Sequence, residues 1–151
     1  MIINKIKLNN FGIFKGQHEI DLTPKNDKPV VLFGALNGSG KTTLLEGIQI
    51  ALYGQSSKVG FRGKKNYLHY LKSMINHHIE ENENTFLEIT FTENIEGSNQ
   101  QFILKREWKE IESEVKESLS IHNEAMFNGK TSERVDEFIE DIMPSSISNL
   151  F

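Results

Sequence analysis

The chain has 151 residues, 37% of them hydrophobic, a formal net charge of -4 and no cysteine. That is enough chain for one domain with a real core, and ten Phe among the apolar residues argue against disorder. The composition excludes disulfides and thiolate metal sites, a bilayer-spanning apolar run, a signal-peptide layout and any global attraction to DNA or anionic membrane, so a cytoplasmic protein without a membrane partner is expected.

From the N-terminus, Ile2 to Asn9 alternates, with Ile6 and Leu8 against Lys5, Lys7 and Asn9, which predicts a half-buried strand. Phe11-Gly12 begins a turn, and Gln17 to Leu22 reads as a second strand. After a polar loop, Val30-Val31-Leu32-Phe33 is a short unbroken apolar run, the pattern of a strand covered on both faces. A glycine-rich loop follows at once. Leu44, Leu45, Ile48, Ala51 and Leu52 then give helical spacing, ended by Gly54.

A second amphipathic helix is predicted with Tyr67, Tyr70, Leu71 and Met74 on one face, a spacing that suits core better than a base-stacking surface. Three alternating segments follow. Leu87, Ile89 and Phe91 share a face of one strand, Phe102, Leu104 and Trp108 a face of the next, and Leu119 and Ile121 mark a third. They read as antiparallel neighbours, the first two joined by a Gly97-Ser98-Asn99 turn. The last helix is expected from near Ser132, burying Val135, Phe138, Ile139 and Ile142, and Pro144 stops it.

The stretch "FGALNGSGKTT", Phe33 to Thr43, carries the chemistry. A phosphate chain needs many backbone N–H groups turned inward at once. Gly38 and Gly40 permit that conformation and keep side chains out of the ligand's path, and the following helix aims its free N–H groups at the same anion. Lys41 supplies a point charge for the β and γ phosphates, and Thr42 offers a hydroxyl to Mg²⁺. Counting back from Lys41, the usual pattern asks for glycine at position 35, where this chain has Ala35; Gly34 sits one place early. Ala35 costs nothing there if its φ is negative. ATP hydrolysis in this class also uses an acidic metal motif, an apolar run ending in Asp, and the chain has none.

Elsewhere the signals are weaker. The five histidines (His18, His69, His77, His78, His122) lack metal-ligand spacing. Gln55 to Ile79 contains Lys58, Arg62, Lys64, Lys65 and Lys72 and no acid, which reads as a solvated loop face or as a patch for DNA phosphates. Glu80, Glu81 and Glu83 read as a solvated end.

The element order adds a resemblance. "IKLNNFGIF" (Ile6 to Phe14), followed by "GALNGSGKTTLLEGIQIALYG" (Gly34 to Gly54), resembles the N-terminal half of an SMC-like ATPase head of the ABC-type superfamily. Together with "YLHYLKSMIN" and "MPSSISNLF" it is most similar to the DndD family, bacterial ATPases of DNA phosphorothioation. The resemblance implies an α/β P-loop NTPase fold, an N-terminal head lobe with an additional antiparallel sheet, and a single ATP-binding lobe over residues 1–151. It implies that Asn37, Gly38, Ser39, Gly40, Lys41, Thr42 and Thr43 bind the phosphates, with Thr42 on Mg²⁺ and Lys41 the catalytic residue. A coiled coil and a C-terminal half with the acidic motif would lie outside this chain. The implied partners are that half, a second head in an ATP sandwich, DNA and other phosphorothioation proteins, in a bacterial cytoplasm. In relatives an arginine after the loop's helix approaches ATP or DNA, which points to Arg62. Many relatives also place a basic residue directly after "NF"; here Gly12 stands there and the nearest base is Lys15. Alternatives are an SMC-like repair or restriction head, a nucleotide-gated dimerisation module, and a small P-loop kinase. The kinase is disfavoured by the two strands ahead of the loop.

Overall fold

The computed structural model describes residues 1–25, 28, 30–57, 64–79, 83–124 and 134–146. Among these residues five strands form one sheet: β1 Ile2–Phe11, β2 Phe14–Asp21, β3 Thr85–Ile95, β4 Ser98–Ile111 and β5 Glu114–His122, in the order β2-β1-β3-β4-β5. Every neighbouring pair is antiparallel. Among the described residues three helices cover one face: α1 Lys41–Tyr53, α2 Lys64–Ser73 and α3 Val135–Ile142. This mixed α/β architecture fits a P-loop ATPase-like fold.

Alternation decides which face is covered. Ile6 pairs with Ile89 and Leu8 with Leu87, and Phe91, Phe102, Leu104 and Ile121 continue the same buried face. The opposite face carries Lys5, Lys7, Glu19 and Glu88 in solvated ion pairs of 2.7 to 3.9 Å. Such pairs at the surface contribute little stability. The core instead rests on aromatic contact: Phe91 stacks on Phe102 at 5.2 Å and Phe11 meets Trp108 edge-on at 5.9 Å. Trp108 donates its indole N–H to the Leu71 carbonyl, 3.0 Å away, and this ties α2 to the sheet.

The three C-terminal strands match the sequence expectation, and their turns refine it. β3 and β4 are joined by Glu96-Gly97, both at positive φ (51° and 83°), one or two residues ahead of the expected turn. β4 and β5 are joined by Glu112-Ser113, also both positive (51° and 68°). Two positive values in a two-residue loop are the type I′ geometry, which matches the twist of the flanking strands. β2 begins at Phe14, three residues before the expected start. In α2, Tyr67 and Leu71 are buried as expected, and the Tyr67 hydroxyl donates to Glu117 at 2.6 Å. α3 opens at Val135; the expected start at Ser132 lies outside the described residues.

One expectation fails. Val30–Phe33 is not a strand covered on both faces: Val30 is 80% and Leu32 91% exposed, and neither pairs with any described strand. The reason is the partner requirement. An apolar strand of this kind is held by neighbours on both edges and cover on both faces, and each of the five described strands is engaged within the antiparallel sheet.

Candidate phosphate-binding site

The loop between this apolar segment and α1 is shaped by its glycines. Asn37 and Gly38 form a turn, with Gly38 at φ 80°. Gly40 is the residue before α1, at φ 91° and ψ 15°, and its carbonyl receives the Leu44 N–H at 2.8 Å. Both glycines occupy the region that penalises a Cβ. Ala35 and Gly34 do not: the non-glycine residues at positive φ are Asn10, Glu96, Glu112 and Ser113 among those described, and Gly34 is absent from the positive-φ glycines. The alanine therefore sits without strain. A Cβ at Gly34 would meet nothing within 4 Å, so the described structure does not require glycine there.

Lys41 folds back over the loop. Its ammonium donates to the carbonyls of Ala35 at 2.7 Å and Leu36 at 2.8 Å. Ser39 closes the same turn, its hydroxyl donating to the Leu36 carbonyl at 2.6 Å. The start of α1 has no side-chain cap and no acidic residue in its first turn. Its leading N–H groups thus lack the usual Ser, Thr or Asp partner, and the positive end of the helix dipole is not offset. Thr42 is exposed and Thr43 half-buried. A glycine-shaped loop, a bare helix start, an ammonium held on loop carbonyls and an exposed hydroxyl form a donor set suited to a polyphosphate with a hard divalent cation.

The β1–β2 turn abuts the loop, a contact that spacing along the chain does not reveal. A Cβ built on Gly40 would lie 2.7 Å from Phe14 Cζ and 2.8 Å from Ile13 Cδ1. One built on Gly12 would lie 2.8 Å from Thr43 Cγ2. Gly12 itself donates to the Met74 carbonyl at 2.7 Å, and Asn76 donates back to the Gly12 carbonyl at 2.8 Å, so α2's end braces the turn. Glycine at positions 12 and 40 was the available clue, since two bulky backbones could not approach so closely. Phe14 rather than Lys15 is the residue that β2 sets against Gly40. Lys15 is exposed, and strand alternation directs adjacent side chains to opposite faces. Arg62 and Lys58 lie outside the described residues, and so do Glu80 and Glu81. Lys72, from the same basic stretch, pairs with Glu110 at 2.7 Å.

Beside the loop, Phe14, Ile20, Phe33, Leu44 and Ile48 line a cavity of about 290 Å³ that reaches Lys41. Leu36 and Leu45 add exposed apolar surface next to it. Among the described residues no helix is long and apolar enough to cross a membrane.

Comparison with known proteins gives the family. A family model described as an AAA domain matches residues 5–150. Over 53 residues the chain is 42% identical to the SbcC component of the nuclease SbcCD from Vibrio cholerae, a match covering 35% of this chain and 5% of that protein. Over 88 residues it is 33% identical to the SbcC component of the nuclease SbcCD from Treponema pallidum, covering 58% of this chain and 8% of that protein. The chain therefore spans less than a tenth of the length of these relatives. The matches support an SMC-like ATPase head, while the narrower DndD assignment finds no support in them. With the family model extending over nearly its full length, the chain belongs to the AAA domain family.

Proposed function

We propose that this chain is the ATP-binding half of an SMC-like ATPase head that acts on DNA. The observation that carries the reading is Lys41 poised on the carbonyls of Ala35 and Leu36 at the bare start of α1. Phosphate oxygens would compete with those neutral carbonyls for the ammonium, and a charged acceptor makes the stronger bond. Asn37 to Gly40 would wrap the phosphates, Thr42 would ligate Mg²⁺, and Thr43 would complete the helix start. Bound Mg²⁺ would supply charge neutralisation between the β and γ phosphates. Hydrolysis would await a C-terminal half carrying the acidic metal motif.

The exposed apolar run Val30–Phe33, with Leu36, Leu45 and the cavity beside them, is where that half would dock. It would supply the strand neighbours the run lacks. Two such heads would then close on ATP. The names of the relatives, both parts of a nuclease, favour a nuclease-associated DNA repair head over a phosphorothioation head. The DndD reading rests on the "GALNG" and "MPSSISNLF" similarity and is the second proposal.

Light scattering with and without ATP and Mg²⁺, run beside a phosphate-release assay and a transfer assay with common kinase acceptors, tests the reading. Nucleotide-dependent association or binding without turnover is expected. Transfer of phosphate to a small acceptor by the chain alone would replace this reading with a kinase.

A further inference from the structure

Arg106 is a charge in the wrong place for a simple core. On β4 it occupies the inward row between Leu104 and Trp108, and it is only 5% exposed. Burying a guanidinium is costly unless every contact is used. Here its Nη1 donates to Glu117 on β5 at 2.7 Å, its Nη2 reaches Asp136 on α3 at 3.5 Å, and its Nε points to the Ala51 carbonyl in the last turn of α1 at 3.5 Å. Glu117 also accepts from Tyr67 of α2. The guanidinium thus ties α1 and α3 to the sheet directly and α2 through Glu117.

The chain makes room for it. At Gly54, just past α1, φ is 51°, and a Cβ there would lie 2.6 Å from Nη1 and 2.7 Å from Cζ. The backbone leaves the helix directly over the guanidinium plane. A cation at that end also complements the negative pole of the helix dipole.

The other end of α1 is the phosphate-binding loop, about 20 Å away at 1.5 Å per residue. Contacts along the helix fix its rotation and lateral position: Gly47 lies against Phe11 and Leu87, and Glu46 accepts from Tyr70. The contact to Ala51 differs in direction, because a helix carbonyl points along the axis, and it sits at the end of α1 far from the loop. We infer that Arg106 is a positioning residue for the nucleotide site, setting the axial position of α1 through the Ala51 carbonyl and thereby where the Gly40–Thr42 amides meet the phosphates. This rests on the ATP-binding reading above.

The test is ATP·Mg²⁺ affinity by calorimetry, with thermal stability measured in parallel, for wild type, Arg106→Lys, Gly54→Ala and the double variant. Lysine keeps the charge and loses the fork; alanine at 54 pushes the guanidinium aside. Ile121→Ala serves as the control, since it removes buried apolar bulk opposite Leu104 and is not one of the groups that bond the guanidinium. A misplacement near 1 Å is expensive for a preorganised site, so each single variant is expected to bind ATP about ten-fold more weakly. The double variant should be no worse than the weaker single, because both act through one contact. Ile121→Ala should lose stability and keep its affinity. Single variants that are folded, less stable and bind ATP as wild type does would overturn the positioning role, as would an equal affinity loss in Ile121→Ala. Failure of the wild type to bind ATP would instead remove the nucleotide reading, and this inference with it.

Discussion

Ala35 and Gly40 show how differently two positions of one loop tolerate a methyl group. Ala35 has negative φ, so Ala35→Gly is expected to leave ATP affinity within about two-fold of wild type, since no strain is relieved. Gly40→Ala combines a positive φ with contacts of 2.7 Å and 2.8 Å to Phe14 and Ile13, and should lose measurable ATP binding in the same calorimetric titration. Tyr67 makes a separate residue-scale prediction. Burial, with the neighbouring Glu117 charge, holds its phenol far above the ordinary tyrosine range, although Arg106 acts in the opposite sense. The folded state therefore keeps a proton that the unfolded chain releases near pH 10, so stability is full below about pH 10 and falls as pH rises beyond it. Tyr67→Phe should flatten that alkaline decline in urea titrations; an unchanged slope would assign it to other groups. The shape of the Phe33–Thr43 loop was legible because Gly38 and Gly40 stand where the backbone takes positive φ. Arg106 was not, because a lone Arg in a strand pattern carries no sign of the three elements that converge on it.

At the scale of elements, long alternating segments announced themselves and their connections did not. The β3 and β4 faces followed from Leu87, Ile89 and Phe91 against Phe102, Leu104 and Trp108, since period-two burial leaves one register open to the core. The β4–β5 turn was hidden because Glu112-Ser113 holds positive φ without glycine or asparagine. Replacing the pair by Glu112→Asn and Ser113→Gly should raise stability by about 1 kcal/mol, read by chemical denaturation, because these residues favour the type I′ geometry already present. α3 is short and leans on a few contacts, with Val135 and Ile139 buried. Ile139→Ala should cost about 2–5 kcal/mol by the same measurement. The Val30–Phe33 run was misjudged because an apolar pattern reports a preference for cover and cannot report whether strands stand beside it to provide that cover.

Across the whole molecule, the buried face of the sheet and the exposed apolar segment have opposite status. The first is closed by α1, α2 and α3; the second flanks the phosphate-binding loop with Val30, Leu32 and Leu36 at 80%, 91% and 85% exposure. Exposed apolar surface of that extent is characteristic of interaction sites, and Phe33 and Lys41 line one cavity beside it. The central claim, that the loop binds ATP through Lys41, is tested most directly by titrating ATP·Mg²⁺ into wild type and Lys41→Ala in a calorimeter. Saturable binding by the wild type and none by the variant is the expected result, with both folded by circular dichroism. Equal affinity in the two proteins would contradict it.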